Sequence, residues 1–91
     1  MKIIWAPKAL SDLVRLHDFL APENPEAAAK VIQALVATAD RLQHFPRMGE
    51  RLDRYHPREV RRIFAGPYEI RYRLTTNSIF ILRLWHGREQ R

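Results

Sequence analysis

The residues of this chain best suited to chemistry are its arginines, and their placement is uneven. After Pro46 there are eleven arginines and no lysine, facing Glu50, Asp53, Glu59, Glu69 and Glu89. Before it, five basic residues face five acidic ones, so the whole net charge of +6 sits in the C-terminal half. A guanidinium presents a planar fork of donors that fits phosphate or carboxylate. Two partner classes follow, nucleic acid and an acidic protein, with direct nucleic-acid binding secondary.

Metal-free cleavage of a phosphodiester needs a base, a cation for the charged intermediate and an acid for the leaving oxygen. A single histidine with arginines, such as His86 with Arg83 and Arg88, could supply such a set. Arg71 and Arg73 alternate with Glu69 on one face of a strand-like run, a basic surface able to meet a target. Arg61 and Arg62 point to opposite faces, so one of them joins it. Arg83 sits inside an apolar run, which is costly unless it is paired or at an edge. Arg88 and Arg91 belong to the tail. The candidate contact set is Arg61, Arg71, Arg73, Arg83, His86, Arg88 and Arg91.

Other chemistries find no support. His17, His44 and His56 lack metal-ligand spacing with any carboxylate cluster, and His17 is expected to pack at the edge of the core. Gly49, Gly66 and Gly87 are too scattered for a phosphate-cradling loop. No Ser/His/Asp arrangement is readable, and neither cofactor nor metal is implied. Trp5 and Trp85 read as packing residues rather than base-stacking platforms.

The elements that must position these groups follow from periodicity. Lys2 to Trp5 is a short β-prone run. Pro7 suits a first helical turn, and Leu10, Leu13, Val14, His17 and Leu20 continue at helical spacing to about Ala21-Pro22. Asn24-Pro25-Glu26 is a helix start, with Asn24 as cap. Ala28, Val31, Ile32, Leu35, Ala39 and Leu42 mark one face of this second helix, which Phe45-Pro46 ends. The short link makes the two helices an antiparallel hairpin. Arg47 to Pro57 lacks a period and reads as loop.

Three strands follow: Glu59 to Phe64, Tyr68 to Leu74 and Ser78 to Trp85, the last being the most apolar and the expected central strand. The period of two in Tyr68, Ile70, Tyr72 and Leu74 marks a half-buried antiparallel strand, with Glu69, Arg71 and Arg73 on its polar face. The reading is an α+β domain spanning 1–91 in the order β-α-α-β-β-β. A small antiparallel sheet, made of the N-terminal strand and three C-terminal strands, packs against the helix hairpin.

The chain has 91 residues and no cysteine, so its core is thin and without disulfides. No run approaches the ~20 apolar residues of a membrane span. The apolar start is too short for a signal peptide, so the cytoplasm is the expected compartment.

The ordered motifs resemble the ParE/RelE toxin superfamily of type II toxin–antitoxin, or plasmid stabilisation, systems. Trp5-Ala6 leads into a helix with Asp12-Leu13, and Asn24-Pro25-Glu26-Ala27-Ala28 opens the next. Leu42, Phe45-Pro46 and Gly49 resemble the family's helix exit. Arg58-Glu59-Val60-Arg61, Tyr68-Glu69-Ile70-Arg71-Tyr72-Arg73 and Ile81-Leu82-Arg83-Leu84-Trp85-His86-Gly87-Arg88 resemble its strands, the last in the form typical of ParE-like members.

The resemblance implies a toxin neutralised by a ParD-like antitoxin with an acidic amphipathic C-terminal segment, in a toxin–antitoxin hetero-oligomer. ParE-like members inhibit DNA gyrase without being enzymes; RelE-like members cleave messenger RNA on the ribosome. In the latter an arginine usually follows the first tyrosine of the Tyr68 strand, where this chain has Glu69. The C-terminal tyrosine of many ribonuclease members also has no counterpart. The ParE-like reading is therefore preferred. The alternatives are a ribonuclease using His86, Arg83 and Arg88, and an inactive or diverged antitoxin-binding module.

Overall fold

The computed structural model describes residues 1–89. Over these residues the chain forms β1 (Lys2–Trp5), α1 (Pro7–Leu20), α2 (Pro25–Arg41), β2 (Glu50–Arg51), a 3-10 turn at Asp53–Tyr55, β3 (Glu59–Ala65), β4 (Tyr68–Leu74) and β5 (Ser78–His86). The α+β layout and the element order match the sequence reading.

Local chemistry explains the helix boundaries. Pro7 opens α1, and Ala6 supplies the first carbonyl, to the Leu10 amide. Asn24 caps α2 through its side-chain oxygen, which accepts from the Ala27 amide at 3.0 Å. The second helix ends at Arg41, earlier than Phe45-Pro46 suggested, because turns over residues 42–44 unwind the chain first. Ala9, Ala28 and Ala39 are fully buried, so their small side chains fit where the helices meet the rest of the core.

The helices pack on one face of the sheet. Leu16, Leu35, Ala39 and Leu42 meet Tyr68, Ile70, Tyr72 and Leu74 of β4 and Ile79, Ile81 and Leu84 of β5. Trp5 and Ile3 pack against this core. The alternation in β4 thus reads the buried face correctly. The opposite, open face carries Glu69, Arg71 and Arg73, with Arg62 and Phe64 of β3 beside them in the register.

Three expectations are corrected. The sheet is mixed: its order is β1-β5-β4-β3-β2, and β1 runs parallel to β5, Lys2 opposite Ser78 and Trp5 opposite Ile81. The rest of the chain between them supplies the long connection that a parallel pair requires. The middle position goes to β4, with β5 beside it. The segment Arg47 to Pro57 also holds structure: β2 pairs Glu50 with Arg62 and Arg51 with Arg61, and Leu52 buries itself while its amide bonds to the Val60 carbonyl. Two paired residues are too few to leave a period in the sequence.

Two glycines serve this geometry. Gly66 takes φ +59° at the first position of the β3–β4 turn, with Pro67 at the second, a conformation that glycine adopts without strain. At Gly49 a Cβ would stand 2.6 Å from the Arg62 carbonyl oxygen and 2.7 Å from the Tyr72 hydroxyl.

Candidate functional site

The open face of the sheet is a surface of guanidiniums held in place by carboxylates. Glu69 is fully buried, and Arg71, at 8% exposure, donates to its Oε2 from Nη2 at 2.7 Å and from Nε at 3.2 Å. The polar face of β4 is therefore not the solvated stripe that alternation suggests. Here the 3-10 turn contributes: Tyr55 accepts from Arg71 Nη1 at 3.2 Å.

Arg83 enters the same region from β5. Its guanidinium lies 5.0 Å from the Trp85 ring centre, and that of Arg71 lies 4.7 Å from it. Two cations thus share one buried indole, whose π system favours positive charge. Arg71, Arg83, Trp85, Leu82, Arg54 and Tyr55 line a cleft of about 570 Å³. A register shift helps to build it. Arg71 pairs with Arg83 but Tyr72 pairs with Ile81, leaving Leu82 as the extra residue of a bulge.

Beyond the bulge β5 has outrun β1, and side chains take over its free edge. Asp12 of α1 accepts from the Leu84 amide at 2.9 Å, and Arg15 donates to the Leu84 carbonyl at 3.1 Å. Glu89 accepts from the His86 amide at 3.1 Å and from Arg15 at 2.6 Å. Asp12 also takes Arg83 Nε at 2.8 Å, which supplies the pairing that an arginine in an apolar strand requires. Burial pushes the Asp12 carboxyl up, but Arg83, the Leu84 amide and Arg15 together hold it below its ordinary value. Glu89 shows the same balance, burial raising it and Arg15 with the His86 amide holding it down.

The predicted site residues fall into separate places. Arg71 and Arg83 come together as described. Arg61 and Arg62 do face opposite sides: Arg62 lies over the Phe64 ring and binds Glu50, whereas Arg61 donates to Glu59 at 2.8 Å and to the Gly49 carbonyl at 2.7 Å. Arg73 lines a different cleft, with Arg47, Arg58 and Glu59. His86 is on the helix side, edge-on to the Tyr68 ring at 5.1 Å, and shares a third cleft with Arg88 beneath the end of α1. Its Nδ1 accepts from the Arg88 amide at 3.0 Å, so the neutral ring carries its proton on Nε2. The trio His86, Arg83 and Arg88 is thus split between two clefts. Arg91 lies outside the described residues. His17 is exposed beside Asp18 rather than packed at the core edge. Among the described residues no group of three His, Cys, Asp or Glu side chains could hold a metal ion.

Sequence reasoning missed Tyr55, Arg54 and the site role of Asp12. Asp12 had a signal: an acid on the buried side of an amphipathic helix, with Ala9 and Leu16 buried to either side, needs a cationic partner. Tyr55 had none, standing in a segment without a period. Its phenol is drawn below its ordinary value by Arg54, against the opposing effect of burial and with help from Arg71.

A helix hairpin on a mixed sheet with a guanidinium-lined open face is the setting in which the sequence motifs of a toxin family come together. The chain belongs to the ParE toxin family, described as the ParE toxin of the type II toxin–antitoxin system parDE, which it matches over residues 3–91. It is 36% identical over 90 residues to Toxin RelE1 of Caulobacter vibrioides, covering 98% of this chain and 96% of the relative. Toxin RelE2 of the same organism is 32% identical over 86 residues, 94% of each chain. A solved structure described as the chromosomal ParDE TA system from P. aeruginosa superposes with a TM-score of 0.79 at 28% identity, covering 94% of this chain and 95% of that one.

Proposed function

We propose that this toxin acts as a single domain on DNA gyrase in the cytoplasm, by binding rather than by catalysis. In this reading it is restrained by a ParD-like antitoxin with an acidic amphipathic C-terminal segment, in a hetero-oligomer. The observation that carries the proposal is the pairing of Arg71 and Arg83, the two arginines against Trp85, with carboxylates. Arg71 gives Nε and Nη2 to Glu69, and Arg83 gives Nε and Nη2 to Asp12, so the charge of each guanidinium is already matched by a carboxylate rather than held in reserve for a scissile phosphate. His86 lines a different cleft from both. Arranged ion pairs of this kind suit recognition of a protein surface, where they set register and specificity. Arg61, Arg71, Arg73, Arg83, His86, Arg88 and Arg91 are the residues proposed to meet target or antitoxin.

The test uses the purified chain with gyrase, ATP and supercoiled plasmid. Linear DNA trapped as a covalent gyrase complex, and lost when antitoxin is added, is the expected result. Growth arrest with gyrase untouched would sink the reading.

One observation favours a second reading, ribosome-dependent cleavage of messenger RNA. Tyr55 offers a phenol of lowered pKa, 3.2 Å from Arg71 Nη1 and with the Arg54 guanidinium 5.1 Å from its ring centre. A phenol whose ionised form Arg54 and Arg71 favour could take the 2′-hydroxyl proton while Arg54 faced the phosphate, with the departing 5′-oxygen protonated by water. Under this reading Tyr55→Phe abolishes cleavage of translated messages. Intact messages during growth arrest by the unaltered chain would exclude it.

A further inference from the structure

A cationic cleft surrounds Arg73 at the end of β4. Arg73 lies past Arg71 on the open face of β4, opposite Val60 on one side and Phe80 on the other. Its Nε is buried and, among the described residues, has no hydrogen-bond partner. The arginines around it are engaged: Arg71 by Glu69, Arg62 by Glu50, and Arg47 and Arg61 by Glu59. A buried N–H without an acceptor is unfavourable, and a shift of the side chain that opened it to an anionic oxygen in the cleft would relieve it.

The space for such an oxygen is present. Arg73 lines a cleft of about 620 Å³ where β3 begins and β4 ends, together with Arg47, Arg58, Glu59, Thr75 and Thr76. Glu59 already accepts Arg47 Nη2 on Oε1, and Arg47 Nε and Arg61 Nε on Oε2. Arg58 is exposed and, among the described residues, forms no ion pair. The cleft therefore offers two guanidiniums without an internal counter-charge.

The surroundings decide what kind of anion fits. Pro46 and Arg47 also line an adjoining hollow with Phe45 and Met48, which are 63% and 38% exposed. A nucleic-acid backbone would favour a continuous basic groove with ring platforms. A basic cleft opening onto an apolar shelf suits a peptide that alternates carboxylates with apolar side chains.

We propose that this cleft is an anion site, in which Arg58 and Arg73 receive a carboxylate of an acidic amphipathic protein segment whose apolar side chains rest on Phe45 and Met48. The inference rests on the antitoxin reading above for the source of that segment, and it adds the place and the residues that receive it.

The experiment follows the side-chain Nε–H signals of the full-length chain by NMR, with Arg73 identified through its loss in Arg73→Met. The probes are an acetylated octapeptide of alternating Leu and Glu pairs, its Gln counterpart and an octathymidylate. The Glu peptide should shift the Arg73 signal saturably. Its affinity should fall ~10-fold at high salt, as screening of partly exposed charges requires. Arg58→Gln, a surface change, should weaken it similarly, which keeps the test valid if Arg73→Met fails to fold. Absence of a shift, an equal shift with the Gln peptide, or tighter binding of the octathymidylate would each overturn the proposal. Gyrase trapping by the unaltered chain is measured separately, so failure of the cleft and failure of the gyrase reading are told apart.

Discussion

Asp12 and Arg83 stand 71 positions apart in sequence, yet Arg83 Nε donates to Asp12 Oδ2 at 2.8 Å. The same oxygen accepts the Leu84 amide at 2.9 Å. One carboxylate thus fixes a guanidinium beside the open face and supplies the acceptor that a neighbouring strand would otherwise give to β5.

Removing that carboxylate should therefore cost more than an ordinary surface ion pair. Asp12→Ala is expected to destabilise the chain by about 3 kcal/mol, because it leaves both an amide and a partly buried guanidinium without their acceptor. The midpoint of urea unfolding measures this, and an unchanged midpoint would refute the role given to Asp12.

Acid should act on the same contacts. Asp12, Glu59 and Glu89 are all held below their ordinary values of 3.8, 4.5 and 4.5. For Glu59 the Arg61 contact is the main cause, with Arg47 adding to it against burial. A carboxyl whose pKa is lower in the folded chain stabilises it fully above the unfolded value, and that contribution fades as pH falls through the folded one. Stability should be flat near neutrality and fall below about pH 4.5. Asp12→Asn should make the fall shallower. An identical acid profile for the variant and the unaltered chain would count against the linkage.

One phenol ties down the segment between α2 and β2. The Tyr72 hydroxyl donates to the Pro46 carbonyl at 2.8 Å and accepts from the Gly49 amide at 3.0 Å, in a site with no room for a Cβ on Gly49. Tyr72→Phe should cost about 1–2 kcal/mol through a buried amide and a part-buried carbonyl left unsatisfied. Gly49→Ala should cost about 2–3 kcal/mol, since the nearest obstacle is backbone rather than a flexible side-chain tip. Calorimetric unfolding of both variants provides the comparison.

The Glu69–Arg71 pair makes a sharper prediction. Arg71→Met alone should destabilise by about 3 kcal/mol, because it leaves a fully buried carboxylate with one partner fewer. Changing Glu69→Leu in addition should recover most of that loss. Two penalties that simply add would mean the pair is not coupled.

Much of this fold was legible from spacing. The cap at Asn24, the proline at the head of each helix and the two-residue period of β4 depend on neighbouring residues alone, so the sequence displays them directly. The direction of β1 was not legible, because pairing partner and polarity are decided by packing between distant segments. Nor was β2, whose two residues depend on the room beside Gly49. For the site, the arginines were readable as a group, but not their distribution. Whether a guanidinium lies free or bound depends on which carboxylate folds against it, and Asp12 reaches Arg83 only through the placing of α1 on β5.

The side chains closing the edge of β5 also bear on handling. With the Leu84 amide and carbonyl and the His86 amide occupied, a second copy finds no row of vacant donors and acceptors from which to build outward. At both amides that protection is a carboxylate, and Arg15 over the carbonyl is itself held by Asp12 and Glu89, so the closure is reversible. Elution in strong acid would protonate Asp12 and Glu89, loosen the closure and offer the bare strand as a seed for precipitation. Purification near neutral pH keeps it shut.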